Sequence, residues 1–232
     1  MQQTALNLIA IGIFGMTLST LLAPMLNISP AIPALTTLGV LSLATLDSFS
    51  FQGKGVTLLL DWLAGTRSEH RDRIVRHEAG HFLVAYFLGI PITGYTLTAW
   101  EAFKQGLPGL GGVTFDSQAL SPNPLDTGEI RLTLERFCTV WMAGIAAETL
   151  LYGSAEGGEE DRQKLRETLT SFGHPANEVV LKERWATRRA QTIIQEHEAA
   201  YEALIAAMEQ RASLAECSQV IQQHCQVNLS QD

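Results

Sequence analysis

The sequence predicts a mainly α-helical protein, in which an N-terminal pair of apolar helices precedes a larger helical domain with a small β-hairpin. Three observations support this fold class. The first charged side chain is Asp47, so the chain opens on a long apolar segment. From Arg67 onward, apolar residues recur at the three- and four-residue spacing of amphipathic helices. Residues 92–100 and 111–116 instead alternate polar and apolar side chains, as β-strands do.

The N-terminal segment, residues 1–48, is predicted to form a hairpin of two transmembrane helices. Thr4 to Leu26 is long enough to cross the hydrocarbon core of a bilayer, and Ala34 to Leu46 resumes the apolar pattern. Pro30 and Pro33 lie at the junction and favour a turn. A signal peptide is disfavoured because the first residues, MQQT, include no basic side chain.

Basic residues follow the second predicted span, beginning with Lys54 and continuing with arginines from Arg67 to Arg76. Such residues favour the cytoplasmic side of a membrane, or the stromal or matrix side in an organelle. We therefore expect an integral membrane protein with two spans, in contact with a lipid bilayer, whose second domain lies on that side. Residues 49–66 are predicted to be an interfacial linker, and residues 67–232 form the second domain.

The overall charge excludes one class of partner. The chain carries 16 basic and 24 acidic residues, a net charge of -8, and a pI of about 5.2. Nucleic-acid-binding proteins normally present a basic patch or stripe, so no nucleic-acid partner is expected.

The segment RIVRHEAGHFLVAYFLGIP is predicted to be a helix that carries a reactive site. Thr66 and Glu69 match a capping box at its start, and Gly89 with Pro91 is a typical stop. His77 and His81 are four residues apart, so both imidazoles project from one face. His70, seven residues before His77, lies on a similar face.

These histidines with Glu78 spell HExxH, which is typical of a metal site. Two imidazoles can bind one cation, and Glu78 can act as general base on a water at that cation. Imidazole and carboxylate ligands suit zinc. The alternative is a buried helix with two satisfied histidines, but burial of these polar groups without a common partner would be costly.

A catalytic zinc usually has three protein ligands, so a further one must be found. Val84 and Phe87 stand where the extended motif HExxHxxGxxH has glycine and histidine, so the third ligand must come from a distant segment. Glu148 lies on a predicted helix over residues 133–153, whose small residues Ala143, Gly144, Ala146 and Ala147 permit close packing against Ala79 and Gly80. The acidic residues Glu159, Glu160 and Asp161 open the next helix, where they also complement the helix dipole.

Four segments in order, HEAGH, GGVTFD, MAGIAAETLLYG and GGEEDRQKL, resemble the peptidase domain of FtsH, the membrane-anchored ATP-dependent zinc protease. The resemblance covers roughly residues 67–224. It implies a helical zincin-like peptidase fold with zinc as cofactor. It also implies that Asp161 is the third zinc ligand and that Glu148 lies near the metal histidines.

The chain departs from the FtsH pattern in three places. Ile145 stands where the family has arginine, Thr149 replaces a second glutamate, and the loop between Gly153 and Asp161 is shorter. The sequence GKG at residues 53–55 does not match the P-loop pattern G-x-x-x-x-G-K-[ST], so no ATPase module accompanies the peptidase segments.

Together these features predict a membrane-anchored zinc metalloendopeptidase that hydrolyses peptide bonds with a zinc-activated water and Glu78 as general base. The expected substrates are proteins or peptides. The expected assembly partners are further copies of this chain or ATPase-bearing FtsH proteases. The alternative is a catalytically weak or inactive peptidase-fold scaffold that regulates membrane protease complexes.

Two further expectations concern substrate binding and the C-terminal part. Zinc peptidases generally bind substrate along an exposed strand edge, for which the candidates are Gly112, Val113, Thr114 and Phe115; a purely structural hairpin is the alternative. Residues 177–214 are predicted to form one long amphipathic helix, followed by a short helix after Ser213. His174, His197 and His224 are interpreted as surface or packing residues.

Overall fold

The computed structural model of the chain describes residues 2–23, 31–50, 68–105, 112–117 and 127–229, with residues 25, 27 and 29 in addition. The described part is mainly helical and has one two-stranded antiparallel sheet, as predicted. The helices are α1 (Gln2–Leu22), α2 (Ala31–Ser50), α3 (Ser68–Leu88), α4 (Ala99–Lys104), α5 (Thr127–Trp141), α6 (Ala143–Tyr152), α7 (Glu159–Ser171), α8 (Ala176–Glu196), α9 (Glu198–Glu209) and α10 (Leu214–Leu229), and the strands are β1 (Ile92–Thr96) and β2 (Gly112–Phe115).

The chain divides into two compact units. The first comprises residues 1–67 and 98–110, and the second comprises residues 68–97 and 111–232. Helices α1, α2 and α4 belong to the first unit, and every other described element belongs to the second.

Within the first unit, α1 and α2 contact each other, and the Thr37 hydroxyl donates to the Met16 sulfur at 3.1 Å. The prediction of two transmembrane helices is wrong, because no helix within the described residues is both long enough and apolar enough to cross a bilayer. A span needs about 20 consecutive, mainly apolar residues. Both helices contain hydroxyl side chains that donate to carbonyls one turn earlier, as those of Thr17 and Thr36 do.

The predicted localisation, with two spans and the second domain on the cytoplasmic or equivalent side, is corrected by the same finding. The predicted interfacial linker, residues 49–66, lies outside the described residues from position 51 onward. Thr66, the first residue of the expected capping box, lies outside them as well.

Helix α3 is the centre of the second unit and packs against α5, α6, α8 and α9. Its second half, FLVAYFL, is apolar on almost every side, which requires burial on almost every side. Phe82, Leu83 and Val84 are accordingly inaccessible to solvent. The core continues into α7 through Leu165 and Leu169.

The predicted β pair is present, but β1 is shorter than the predicted 92–100: it ends at Thr96, and residues 99–100 belong to α4. Strand β2 runs antiparallel to β1, with Thr96 opposite Gly112, Tyr95 opposite Val113 and Gly94 opposite Thr114. Both strands contact α3, so the sheet lies beside the helix that carries HEAGH.

Two predicted helices are each divided in the structure. The helix expected over residues 133–153 is interrupted at Met142, between α5 and α6, and the one expected over residues 177–214 is interrupted at His197, between α8 and α9. At His197 the imidazole stacks on the ring of Phe87 in α3, with ring centroids 3.7 Å apart. A tertiary contact therefore accompanies this break, whereas the apolar periodicity continues through it.

Candidate metal centre

The site begins with close packing between α3 and α6. A Cβ atom added at Gly80 would lie 2.7 Å from the Ala143 carbonyl oxygen, and one added at Gly144 would lie 2.3 Å from the His77 ring. Only glycine fits at these two contacts, because real Cβ atoms do not approach so closely. The predicted packing of small residues against Ala79 and Gly80 is confirmed, and it brings α6 directly against the histidine face of α3.

His81 is oriented by a backbone carbonyl. Its Nδ1 atom lies 2.7 Å from the carbonyl oxygen of Val140, which is in the last turn of α5. The last carbonyls of a helix have no helical partner, so this one is available to a side chain. Since a carbonyl oxygen only accepts, Nδ1 carries a hydrogen, and in the neutral ring Nε2 then has the lone pair that a metal ion would use.

His77 is oriented by a carboxylate instead. Its Nδ1 atom lies 2.7 Å from Oε1 of Glu148, a side chain that is almost fully buried on α6. The same carboxylate accepts the backbone N–H groups of Glu156 at 2.9 Å and Gly157 at 3.3 Å. Glu148 therefore fixes both the His77 ring and the loop that leads into α7.

Asp161 is brought to the histidines by that loop. Gly158 precedes α7 with φ at 88°, and a Cβ there would meet Ile145 at 2.3 Å, so the turn requires glycine. Asp161 lies in the first turn of α7, and its Oδ2 atom is 3.4 Å from Nε2 of His77 and 3.4 Å from Nε2 of His81. Its other oxygen, Oδ1, lies 3.8 Å from the ammonium group of Lys164.

The three side chains form a group that could hold a metal ion, since their ligand atoms all lie within 4.8 Å of one another. Tetrahedral zinc with bonds of about 2.0–2.1 Å places neighbouring donor atoms about 3.3–3.4 Å apart. The observed separations of 3.4 Å from Oδ2 to the two Nε2 atoms match that spacing. As hydrogen bonds these contacts are long, since the usual range is about 2.7–3.2 Å. The cluster could therefore hold a divalent metal ion, and the two separations from Oδ2 fit zinc.

The ionisation of these residues favours a cation. Burial lowers the pKa of His77, but hydrogen bonds with Asp161 and Glu148 and the charge of Glu78 outweigh it and raise the pKa to about 10. Burial opposes ionisation of Asp161, yet the charge of His81 and the hydrogen bonds from both histidines hold its pKa well below the usual range. Without metal, His77 is thus a protonated ring between two carboxylates, where a divalent cation can replace the proton.

Glu148 also forms an ion pair with Arg73, whose role at this site sequence reasoning did not predict. The Arg73 guanidinium, one turn before His77 on α3, lies 3.6 Å from Oε2 of Glu148. It also covers the ring of Tyr152, with its central carbon 3.9 Å from the ring centroid. The four-residue spacing from His77 was the available signal, but the role depends on α6 residues that are distant in sequence.

Glu78 faces the sheet. Its Oε2 atom accepts the backbone N–H of Val113 at 2.9 Å, so β2 lies directly beside the proposed base. Of the other edge candidates, Gly112 lies next to the Glu78 carboxylate, so that an added Cβ would be 3.2 Å from Oε2. The hydroxyl of Thr114 accepts a hydrogen bond from the Thr93 hydroxyl at 3.0 Å. Phe115 packs against the core.

Several other acidic residues and histidines are not part of this cluster. Glu159 and Glu160 are exposed neighbours of Asp161. His174 pairs with Glu178 at 2.9 Å, and His224 bonds to the Val220 carbonyl within α10. Ile145 packs against Gly158, and the Thr149 hydroxyl donates to the Ile145 carbonyl at 2.7 Å.

Comparison with known proteins does not identify this chain: no protein-family model matches it, and no curated protein is significantly similar to it.

Proposed function

We propose that this protein is a zinc-dependent endopeptidase that hydrolyses peptide bonds. The observation that carries the proposal is the convergence of His77, His81 and Asp161, in which Oδ2 of Asp161 lies 3.4 Å from each Nε2 atom. Glu78 directly follows His77 on the same helix. These three side chains would hold the ion through Nε2, Nε2 and Oδ2.

When bound at this site, zinc supplies a Lewis acid for the scissile carbonyl and lowers the pKa of a coordinated water. Glu78 accepts the proton of the attacking water on its carboxylate and then donates it to the nitrogen of the leaving amine. One of its oxygens, Oε2, is already engaged by Val113, which leaves Oε1 for the proton.

The buried partners of the histidines hold each ring in the tautomer that the proposed reaction needs. The Glu148 carboxylate and the Val140 carbonyl each accept from Nδ1–H and so direct Nε2 toward Asp161. Groups that orient metal-binding histidines in this way usually change metal affinity about 10- to 100-fold when they are removed.

The substrate we propose is an extended peptide that adds to the outer edge of β2. This edge lies beside Glu78, so a peptide bond on it would be near the base. The chain contains no P-loop, so its own residues provide no ATP-driven unfolding, and unfolded proteins or short peptides are the substrates expected.

The second candidate is a non-catalytic peptidase-fold scaffold that acts by association with ATPase-bearing FtsH proteases or with copies of itself. Two observations favour it: the chain has no P-loop pattern, and Ile145 replaces the arginine that the FtsH family carries. Complementation distinguishes the two functions, because a scaffold needs the fold but not the base. A Glu78→Gln gene that fully restores a deletion strain would favour the scaffold.

The direct test of the enzyme is removal and return of the metal. The full-length protein is purified, assayed on unfolded protein substrates, stripped with a chelator and reconstituted with zinc. We expect hydrolysis to be lost on chelation and restored by about one equivalent of zinc per chain. Hydrolysis that persists in the metal-free protein would contradict the proposal.

A further inference from the structure

Strand β2 has two edges, and its backbone groups are divided between them. Successive residues of a strand point their N–H and C=O groups to opposite edges. Gly112 donates its N–H to the Thr96 hydroxyl of β1 at 3.0 Å, and Asp116 donates to the Pro91 carbonyl at 3.0 Å. Residues 112, 114 and 116 therefore face β1, and Val113 and Phe115 face the outer edge.

At the outer edge, the Val113 N–H donates to Oε2 of Glu78 at 2.9 Å. A hydrogen bond to a carboxylate is among the stronger ones in proteins and fixes one of its two oxygens. The bond comes from the backbone, so no side chain at position 113 signals it in the sequence.

Gly112 makes this approach possible. Its φ is +133°, a conformation that other residues rarely adopt, and a Cβ there would lie 3.2 Å from Oε2 of Glu78. The buried Thr96 hydroxyl fixes the N–H of the same residue from the opposite edge. The start of β2 is thus held between β1 and the carboxylate of Glu78.

We propose that the backbone N–H of Val113 is the positioning group for Glu78, and that it is therefore unavailable to a substrate strand. The inference rests on the proposed function and deepens it. Oε2 stays on Val113 while Oε1 handles the proton. An extended substrate on this edge pairs with the carbonyl of Val113 and the backbone of Phe115.

The bond itself can be tested without metal or substrate. Site-resolved amide hydrogen exchange is measured on the full-length, metal-free protein and on its Glu78→Gln and Glu78→Ala variants. The glutamine oxygen still accepts, so Val113 exchange in Glu78→Gln should stay close to wild type. In Glu78→Ala it should accelerate by roughly tenfold or more. The Thr114 amide, which faces β1, is the internal control and should not change.

Val113 exchange that is the same in Glu78→Ala as in the wild type would overturn the proposal. Because this readout needs no activity, a chain that hydrolyses no peptide would refute the proposed function while leaving the Val113 result to stand or fall by itself.

The catalytic consequence is tested with a pair of glycine variants. Gly112→Ala places a methyl group against Glu78, whereas Gly173→Ala adds one at φ +83° with no neighbouring atom within 4 Å. Both variants carry backbone strain, but only the first disturbs the base. We expect kcat of Gly112→Ala to fall by about tenfold or more, with KM changed by less than about twofold and zinc content unchanged. Equal kcat values for the two variants would overturn the inference. If Gly112→Ala does not fold, the amide exchange of Val113 in the Glu78 variants tests the inference by itself.

Discussion

The two histidines of the candidate metal centre are held by different kinds of partner. His81 is oriented by the Val140 backbone carbonyl, whereas His77 is oriented by the buried carboxylate of Glu148, with Arg73 behind it. The carbonyl is a neutral backbone group, so it is present whichever side chain occupies position 140. The carboxylate is a charged side chain, so a single substitution can remove it. The His81 side is therefore fixed by packing, and the His77 side by electrostatics that single substitutions can change.

The largest effect is expected where the two sides meet, at Asp161. Asp161→Asn keeps the size of the side chain but removes the charge at the atom that faces both Nε2 atoms. Zinc affinity should fall by more than the roughly 100-fold that loss of a supporting group costs. Glu160→Gln is the matched control, because this exposed neighbour lies in the same turn of α7. If Asp161→Asn binds zinc as the wild type does, Asp161 is not the ligand that joins the two histidines.

The next effect separates the two sides. Glu148→Gln removes the negative charge beside His77 and should lower zinc affinity by about 10- to 100-fold, measured by competition with a chelating dye. Val140→Ala trims a buried side chain but keeps the carbonyl that orients His81. It should lower the free energy of unfolding while leaving zinc affinity unchanged. Equal losses of affinity in both variants would mean that the two sides do not differ.

The pH dependence sharpens the same contrast. Because the pKa of His77 is raised from 6.5 to about 10, zinc must displace its proton at neutral pH. Zinc affinity should rise by about tenfold per pH unit between about 7 and 10 as that proton becomes easier to remove. Calorimetry in buffers of different ionisation enthalpy should detect about one proton released at pH 7.5, and less in Glu148→Gln.

In the metal-free protein, the contribution of His77 to the free energy of unfolding falls as pH rises, whereas zinc affinity rises with pH. The raised pKa of His77 stabilises the fold fully below the unfolded value of 6.5, and this contribution is lost as pH rises through about 10. Asp161 and Glu148 have lowered pKa values, so their contribution is present above their unfolded values and is lost as pH falls through the folded ones. The free energy of unfolding, measured with urea at acidic and alkaline pH, checks both contributions. A free energy that does not fall between about pH 7 and 10 would contradict the raised pKa of His77.

The smallest effect is expected at Arg73. Arg73→Met leaves Glu148 without the guanidinium that lies 3.6 Å away, and zinc affinity should fall by less than about tenfold. Arg73→Lys, which keeps the charge, should recover part of the loss. The exposed Arg71 on the same helix provides the control variant Arg71→Met, which should bind zinc as the wild type does.

The sequence could predict what depends on spacing along one helix. His77, Glu78 and His81 follow from helical geometry, and the small residues of α6 indicated its packing on α3. Asp161 could be chosen over Glu159 and Glu160 only through the FtsH resemblance, because all three suit a helix N-terminus. Arg73 and the Val113 N–H could not be predicted, since their roles depend on partners 75 and 35 residues away in sequence.

Helix ends were less predictable for a related reason. Apolar periodicity continues through Met142 and His197, but the structure interrupts both helices there. The stacking of His197 on Phe87 is a tertiary contact that local sequence does not encode. The membrane prediction was wrong because it rested on the apolar character of residues 1–48, and no helix in the described part of the chain meets the length and apolarity of a span.

The central claim is that Glu78 performs the chemistry at a zinc site formed by His77, His81 and Asp161. The most direct test measures zinc content and peptide hydrolysis on the same full-length preparation of Glu78→Gln. The account predicts about one zinc per chain, as in the wild type, with kcat reduced by about 100-fold or more. A variant that keeps its zinc and hydrolyses peptide at the wild-type rate would contradict it.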